Sequence, residues 1–357
     1  EICACLVGSE MCIRDRGETY DYDIYPVINA QNLVIADLPA FVSENEEEMQ
    51  KRYSQSAQAV YQEIVWPSLT SIASRTGAKM TCMMTPQFTY TDEEEPDGEN
   101  VTYYLKRLKE EHAEAGLSAD SREGIPLSEK IKQDQTFWQT YAPSYRFLSL
   151  YADGVKSIGE KSALPAEIRT VALGSGASGQ AVGYLNENVT LQPSTSSGIR
   201  HTFLDDFKVK CMETALGYSN ITLDFYSVTY PEGDEDSWEK MSKKIAANLG
   251  TYWKAYEAFD ATTLTESDVR IRRFLALDYK QQRAGNVITL SLEHREDAAW
   301  FLLRLHGEKV TEVAGGIFEE IEDGVYLILA EEDEVSVEVQ TGETWQYQDG
   351  GKRGDGT

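Results

Sequence analysis

Residues 32–37 read NLVIAD, four apolar residues closed at the carboxyl end by a carboxylate. A run too short for a helix and without polar alternation reads as a strand buried on both faces. The same shape returns at 79–84 (KMTCMM), 147–151 (FLSLY), 168–173 (IRTVAL) and 221–225 (ITLDF). Between these runs, 47–73, 103–115, 126–141 and 209–216 carry apolar residues at three- and four-residue spacing, as helices with one buried face do. Strand and helix therefore alternate, which predicts an α/β fold. Five strand signals in one stretch favour a (β/α) barrel-like domain over an open doubly wound sheet.

Further along, Asp236 and Glu239 have the spacing of a capping box. They open a predicted long helix with an apolar stripe of Met241, Ile245, Leu249, Tyr252, Tyr256 and Phe259. A second helix is predicted over 266–276, capped by Thr265, with Val269, Arg272, Arg273 and Leu277 dividing its buried and wet faces. After Gly285 the period drops to two. Runs at 287–292, 300–305, 310–313, 317–321, 325–329 and 335–339, with a turn at Asp323-Gly324, predict a small antiparallel β-sandwich. The expected organisation is a barrel-like domain over 17–284, the sandwich over 285–340 and a polar, disordered tail over 341–357.

The chain has 357 residues, and 60 acidic against 33 basic side chains give a net charge of -27. Such an excess repels phosphate backbones and anionic lipid, which argues against nucleic-acid or membrane-surface partners. No stretch approaches the ~18 apolar residues of a membrane helix, so no membrane insertion is expected. Residues 5–16, CLVGSEMCIRDR, look like translated sequencing adapter, since 7–15 back-translate into a transposase end sequence used in library preparation. The native frame is then expected to open near Gly17, with any targeting segment lost. Cys3, Cys5 and Cys12 leave with that segment, and Cys82 and Cys211, among apolar neighbours, read as buried.

Chemistry is sought first in RHTFLDDF, 200–207. His201, Asp205 and Asp206 beside a strand end could hold a divalent metal such as zinc or set a base next to a metal ligand. The competing reading is a helix cap, with Asp205 or Asp206 as N-cap of the helix at 209–216. Asp37, Asp153 and Asp224 stand at strand ends, where barrel side chains converge on one face and line a shared cleft. Tyr226 and Trp238 are candidate rings for stacking on a sugar. Acidic loops at 44–48, 92–95 and 232–236 could attract a cationic aminosugar polymer. Gly174, Gly176 and Gly179 satisfy GxGxxG after a strand, but no helix pattern follows, so the segment reads as a loop.

The stretches QNLVIADLPAF, CMMTPQFTYTD, RHTFLDDFKVKCMETALGYSNITLDF and WFLLRLHGEKVTEVAGGIFEEIEDGVYLILA resemble a bacterial domain-of-unknown-function family. That family comprises large surface-associated proteins of Gram-positive bacteria, distantly related to glycoside hydrolase/deacetylase (β/α) barrels and associated with exopolysaccharide export. Polysaccharide deacetylases share a TFDDG segment, whose first Asp is the base and second a metal ligand, and an HxxxH pair that completes the metal site. Thr202 to Asp206 read TFLDD, with an extra Leu204 and no closing glycine, and the chain has no HxxxH. The resemblance implies an extracytoplasmic or cell-surface polysaccharide-associated protein with a degenerate barrel that binds a cationic exopolysaccharide. The alternative it implies is an active metal-dependent carbohydrate deacetylase, with Asp205 as base and His201 and Asp206 as metal ligands.

Overall fold

The structure is a computed structural model that describes residues 22–90, 96–121, 125–154, 164–174 and 180–341. The adapter-like segment and all of the expected tail but its first residue lie outside them. The described chain forms two compact units, Val27–Leu275 and a second that joins 22–26 to 276–341.

The strands, in chain order, begin with β1 (Tyr22–Val27), β2 (Ala30–Ala36), β3 (Met80–Met84), β4 (Glu114–Ser118), β5 (Ser149–Ala152) and β6 (Thr170–Leu173). They continue with β7 (Gly183–Tyr184), β8 (Thr190–Pro193), β9 (Ser196–Ser197), β10 (Tyr218–Asp224) and β11 (Ala261–Thr262). In the first unit the sheet runs β7-β8-β6-β5-β4-β3-β2-β10-β9, with β11 on β2. Each neighbouring pair is parallel except β7 with β8. This is the expected α/β barrel-like architecture, in a curled sheet whose order does not close on itself.

Strand alternation separates two apolar sets. Leu33 and Ile35 pack with Cys82, Met84, Ile221 and Leu223 against the helices, where Tyr61, Leu69, Val101, Tyr104 and Phe137 complete the largest core. Val34, Ala36, Met83, Tyr151 and Ala172 point the other way, into the curl. Each large apolar side chain fully buried in this way stabilises the fold by about 1.5–3 kcal/mol.

The inside of the curl is filled by the helix Leu264–Ala276. Leu264 packs beneath Tyr151 in the inner set. Ser267 Oγ donates to Gln192 Oε1 at 2.9 Å, and Asn32 Nδ2 donates to both Gln192 Oε1 (3.0 Å) and Ser267 Oγ (3.1 Å). Thr190 Oγ1 donates to Asp268 Oδ1 at 2.5 Å. The cap differs from the expectation. Thr263 and Glu266 bond each other's backbone N–H, while Thr265 donates from N and Oγ1 to Glu114. Val269 is exposed, and Ser267, Asp268 and Ile271 form the buried face. The inner face is largely polar, so no apolar period announces it.

The helix expected from Asp236 begins at Trp238, with Ser237 as N-cap and no side-chain cap bond. Asp236 instead accepts from Arg200 and from Glu232 N.

The second unit holds β12 (Asp278–Ala284), β13 (Val287–Glu293), β14 (Ala299–Leu305), β15 (Glu308–Ala314), β16 (Gly316–Glu322), β17 (Val325–Ala330) and β18 (Glu334–Thr341). Its two four-stranded sheets, β1-β14-β17-β16 and β12-β13-β18-β15, enclose Ile24, Ile288, Leu290, Phe301, Ile328, Val335 and Val337. The sandwich starts earlier than the switch of period suggests. β12 is too polar to read as a strand, yet it pairs with β13 along its whole length.

Candidate active site

The carboxyl edge of the parallel sheet gathers aspartates from four strands. In β4 and just beyond it, Glu114, Gly116, Ser118 and Asp120 alternate onto the inner face. Tyr151 and Asp153 follow the same rule from β5, and Asp224 follows it from β10. Asp37 does not. After Val34 and Ala36, alternation would send residue 37 to the helix side, but Asp37 adopts φ 61°, the left-handed region. That breaks the pleat and brings the carboxylate to Ser118 Oγ, which donates to Asp37 Oδ1 at 2.5 Å.

Hydrogen bonds tie these strand ends together. Asp153 N donates to Asp120 Oδ1 at 3.3 Å, and Asp120 N donates to Ser118 Oγ at 3.1 Å. Asp37 is fully buried, and among the described residues its Oδ2 has no hydrogen-bond partner. Burial first, then the charges of Asp120 and Asp224, push its carboxyl well above the usual range, against the Ser118 hydroxyl and Lys130. Asp120 is lifted to about 7, by burial and then by Asp153 and Asp224. Asp224 is also raised, chiefly by desolvation, although its outer side faces solvent. Like charges held together in a partly dry site keep protons that isolated carboxyls lose.

Two further residues shape the edge. A Cβ on Gly174 would lie 2.6 Å from Tyr151 Oη and 2.7 Å from Asp153 Oδ1, so the missing side chain is the space that both occupy. Gly176 and Gly179 of the glycine motif lie outside the described residues. Lys130, 1% exposed, sits under the cluster and donates to Thr85 Oγ1 (3.1 Å), Tyr90 Oη (2.6 Å) and Asp134 Oδ2 (3.0 Å). It is the cation that lowers Asp37 and Asp120 against the trend.

Beside Asp224 opens a cleft of about 420 Å³, lined by Ser197, Arg200, Thr202, Leu204, Asp205, Lys208 and Ser227 among others. The cleft thus brings Asp205 and Asp224 to one surface. Asp205, however, is the third residue of the helix Phe203–Leu216 and closes its capping box. Thr202 Oγ1 accepts from Asp205 N, and Asp205 Oδ2 accepts from Thr202 N at 2.7 Å. The cap is therefore Thr202, and the helix starts six residues before the apolar pattern suggests. Asp206 pairs with Lys210 at 3.0 Å. His201 stacks on Tyr252 at 3.7 Å with Nδ1 2.8 Å from Ser196 Oγ, and burial lowers its affinity for a proton. Among the described residues no group of three His, Cys, Asp or Glu side chains is placed to hold a metal.

No family model and no curated protein matches the sequence. Solved structures do. A protein of Mycobacterium smegmatis described as a polysaccharide deacetylase matches at 8% identity and TM-score 0.39, over 68% of this chain and 90% of its own. One from Parabacteroides distasonis, described as a glycoside hydrolase/deacetylase, matches at 10% identity and TM-score 0.38, over 78% of this chain and 82% of its own. Likenesses this distant add nothing to the assignment of residues.

Of the sugar-facing candidates, Asp37, Asp153 and Asp224 come together, while the rings do not face the cleft as expected. Trp238 is 4% exposed in the core, edge-on to Phe225, because it opens a helix whose apolar face packs on the sheet. Tyr226 is stacked on Tyr230 and edge-on to Phe88. Asp120 was not singled out, because 103–115 reads as one helix that hides β4. The Asp at the end of AEAGLSAD, following small residues after a helix stop, is the signal that could have found it.

Proposed function

We propose that this chain is a carbohydrate-active barrel that cleaves glycosidic bonds by acid–base chemistry at the carboxyl edge of its sheet. The observation that carries the reading is Asp120. It is a half-buried carboxyl lifted to about 7, set among three other aspartates at strand ends. A glycosidic bond breaks when its leaving oxygen receives a proton while a second carboxylate assists at the sugar carbon. Asp120, protonated near neutrality, supplies the proton. Asp224, at the mouth of the cleft, supplies the second carboxylate. Ser118 Oγ and the N–H of Asp153 hold Asp120 in place, while burial, Asp153 and Asp224, opposed by Lys130, set its proton affinity.

Burial of the reacting carboxyl in an apolar and like-charged setting is the usual way a protein keeps an acid protonated at pH 7. Asp120→Asn keeps the shape and removes the transferable proton. Release of reducing ends from polysaccharide by the full chain is expected to fall by at least about 100-fold in that variant. Wild-type turnover that Asp120→Asn leaves intact would overturn the assignment.

A second reading, a non-hydrolysing component of a cell-surface or extracytoplasmic system that holds a cationic exopolysaccharide, is favoured by the net charge of -27. The acidic loops lend it less than expected. Glu44 is buried on the N–H groups of Phe88 and Thr89, Glu235 pairs with Lys240 and Lys244, and 92–95 lies outside the described residues. On this reading affinity for a polyamine glycan falls steeply with salt, and no reducing ends appear. The metal-dependent deacetylase alternative is tested in the same assay by acetate release with and without added zinc.

A further inference from the structure

The cleft beside Asp224 is walled by the loop 197–202 and the first turn of the helix Phe203–Leu216. Its volume of about 420 Å³ is within the range of small-molecule sites, about 300–1,000 Å³. The lining alternates hydroxyls (Ser197, Thr202, Ser227) with two cations, two carboxylates and the apolar Ile199 and Leu204. Three of the charged groups are fixed by neighbouring side chains or by the backbone. Arg200 lies 3.1 Å from Asp236, Lys208 donates to the carbonyl of Ser194, and Asp205 is taken up by Thr202. Such a wall offers directed donors and acceptors with no excess of either sign.

At the rim the same helix presents Phe203, 82% exposed, Leu204, 74%, and Phe207, 45%. Phe203 and Phe207 are four apart, so they lie on one face one above the other. The capping box fixes the turn that carries them. A cluster of bare apolar side chains on so acidic a chain marks a binding surface rather than a packing accident.

We infer that the cleft is a subsite for an uncharged hexose unit of a glycan, and that Phe203, Leu204 and Phe207 form the platform on which the next ring of the chain stacks. The inference rests on the hydrolase reading for its place beside Asp224, and it adds what lies there. A pyranose presents hydroxyls at its edge and C–H groups on its faces. The edge matches the hydroxyl and charged lining, and the faces match apolar side chains that water solvates poorly. A balanced wall does not favour a cationic sugar over a neutral one.

The test is calorimetric titration of the full chain with a β-1,4 hexamer and dimer of N-acetylglucosamine and with the fully deacetylated, cationic hexamer. The neutral hexamer is expected to bind, and more tightly than the cationic one at 0.15 M salt or above. In Phe203→Ala/Phe207→Ala its affinity is expected to fall by about tenfold, a loss the size of one or two ring contacts, with the dimer affected less. Ser227→Trp, which fills the cleft, is expected to weaken both lengths. Hexamer affinity unchanged in the rim variant, tighter binding of the cationic hexamer, or no binding of the neutral one overturns the inference. So does a rim that instead joins two copies of the chain, seen as a concentration-dependent mass that the rim variant loses. Asp120→Asn separates the two ideas, because it is expected to stop cleavage while keeping the hexamer bound. Rim-dependent binding without any cleavage by the wild type leaves the subsite standing and sinks the hydrolase.

Discussion

Asp120, at the carboxyl edge of the sheet, and Glu213, on the helix Phe203–Leu216, both hold protons, and the two differ in what that proton does. Asp120 is lifted to about 7 by burial and by Asp153 and Asp224, with Lys130 opposing. As a proton donor it is competent below that value, so cleavage is expected to decline as pH rises through about 7. Asp153→Asn removes the first of the neighbouring charges and is expected to move this limb to lower pH. An unmoved limb in a pH–rate profile would separate Asp120 from the observed titration. Glu213 is 1% exposed, with Oε1 accepting from Gln31 Nε2 at 3.3 Å. Burial lifts it to about 8, against hydrogen bonds from Ser219 and Gln31. Its folded form therefore keeps a proton that the unfolded chain releases near pH 4.3, so it costs stability as pH rises between the two values, by up to about 1.4 kcal/mol per pH unit. Glu213→Gln is expected to flatten that slope and to be the more stable protein at pH 8. Urea midpoints from pH 5 to 8 check this, and parallel slopes for the two proteins would refute it.

At the scale of elements, β4 shows why part of the site was hidden. A Cβ on Gly116 would lie 2.3 Å from Met83 Sδ and 2.5 Å from Ser149 Oγ, so a side chain there would have to displace both neighbours. A sequence of Glu, Ala, Gly, Leu and Ser has little preference for a strand, and tertiary packing rather than local propensity makes it one. Gly116→Val is expected to destabilise the fold by about 1–3 kcal/mol or more through overpacking, read as a fall in the urea midpoint. The strands rich in Val, Ile and Leu were legible because burial on both faces leaves them no polar residues. Asp153 and Asp224 were legible as their terminators. Asp37 was legible as a strand end, but its turn into the curl depends on a positive φ that no pattern of residue types announces. The helix Phe203–Leu216 was read from its apolar part alone, so the cap reading fell on Asp205 or Asp206 and missed Thr202. Thr202→Ala is expected to cost about 1 kcal/mol, with Thr202→Ser close to wild type. Equal losses in both would mean that the hydroxyl is not the cap.

For the whole molecule, the net charge of -27 acts on stability independently of any ligand. Like charges spread over one surface repel, and the compact state suffers more than the open chain. Added sodium chloride is therefore expected to raise the thermal midpoint, each ~1 kcal/mol gained moving it by roughly 2–4 °C in a chain of this kind. A midpoint that falls with salt would show that ion pairs such as Lys130–Asp134 and Arg272–Asp268 outweigh the repulsion.

The helix Leu264–Ala276 that fills the curl also sets a schedule for synthesis. Asn32 reaches Ser267 and Thr262, and Gln31 N–H is taken up by Asp260, partners more than two hundred residues later in the chain. A ribosome releases residues from the amino end at about 5–20 per second, so β2 emerges long before the groups that satisfy its inner face. Until residue 276 leaves the exit tunnel, Asn32, Gln192 and Thr190 line an unfilled polar trough. A nascent chain stalled ahead of that helix should therefore remain sensitive to protease, and one stalled far enough beyond it should resist.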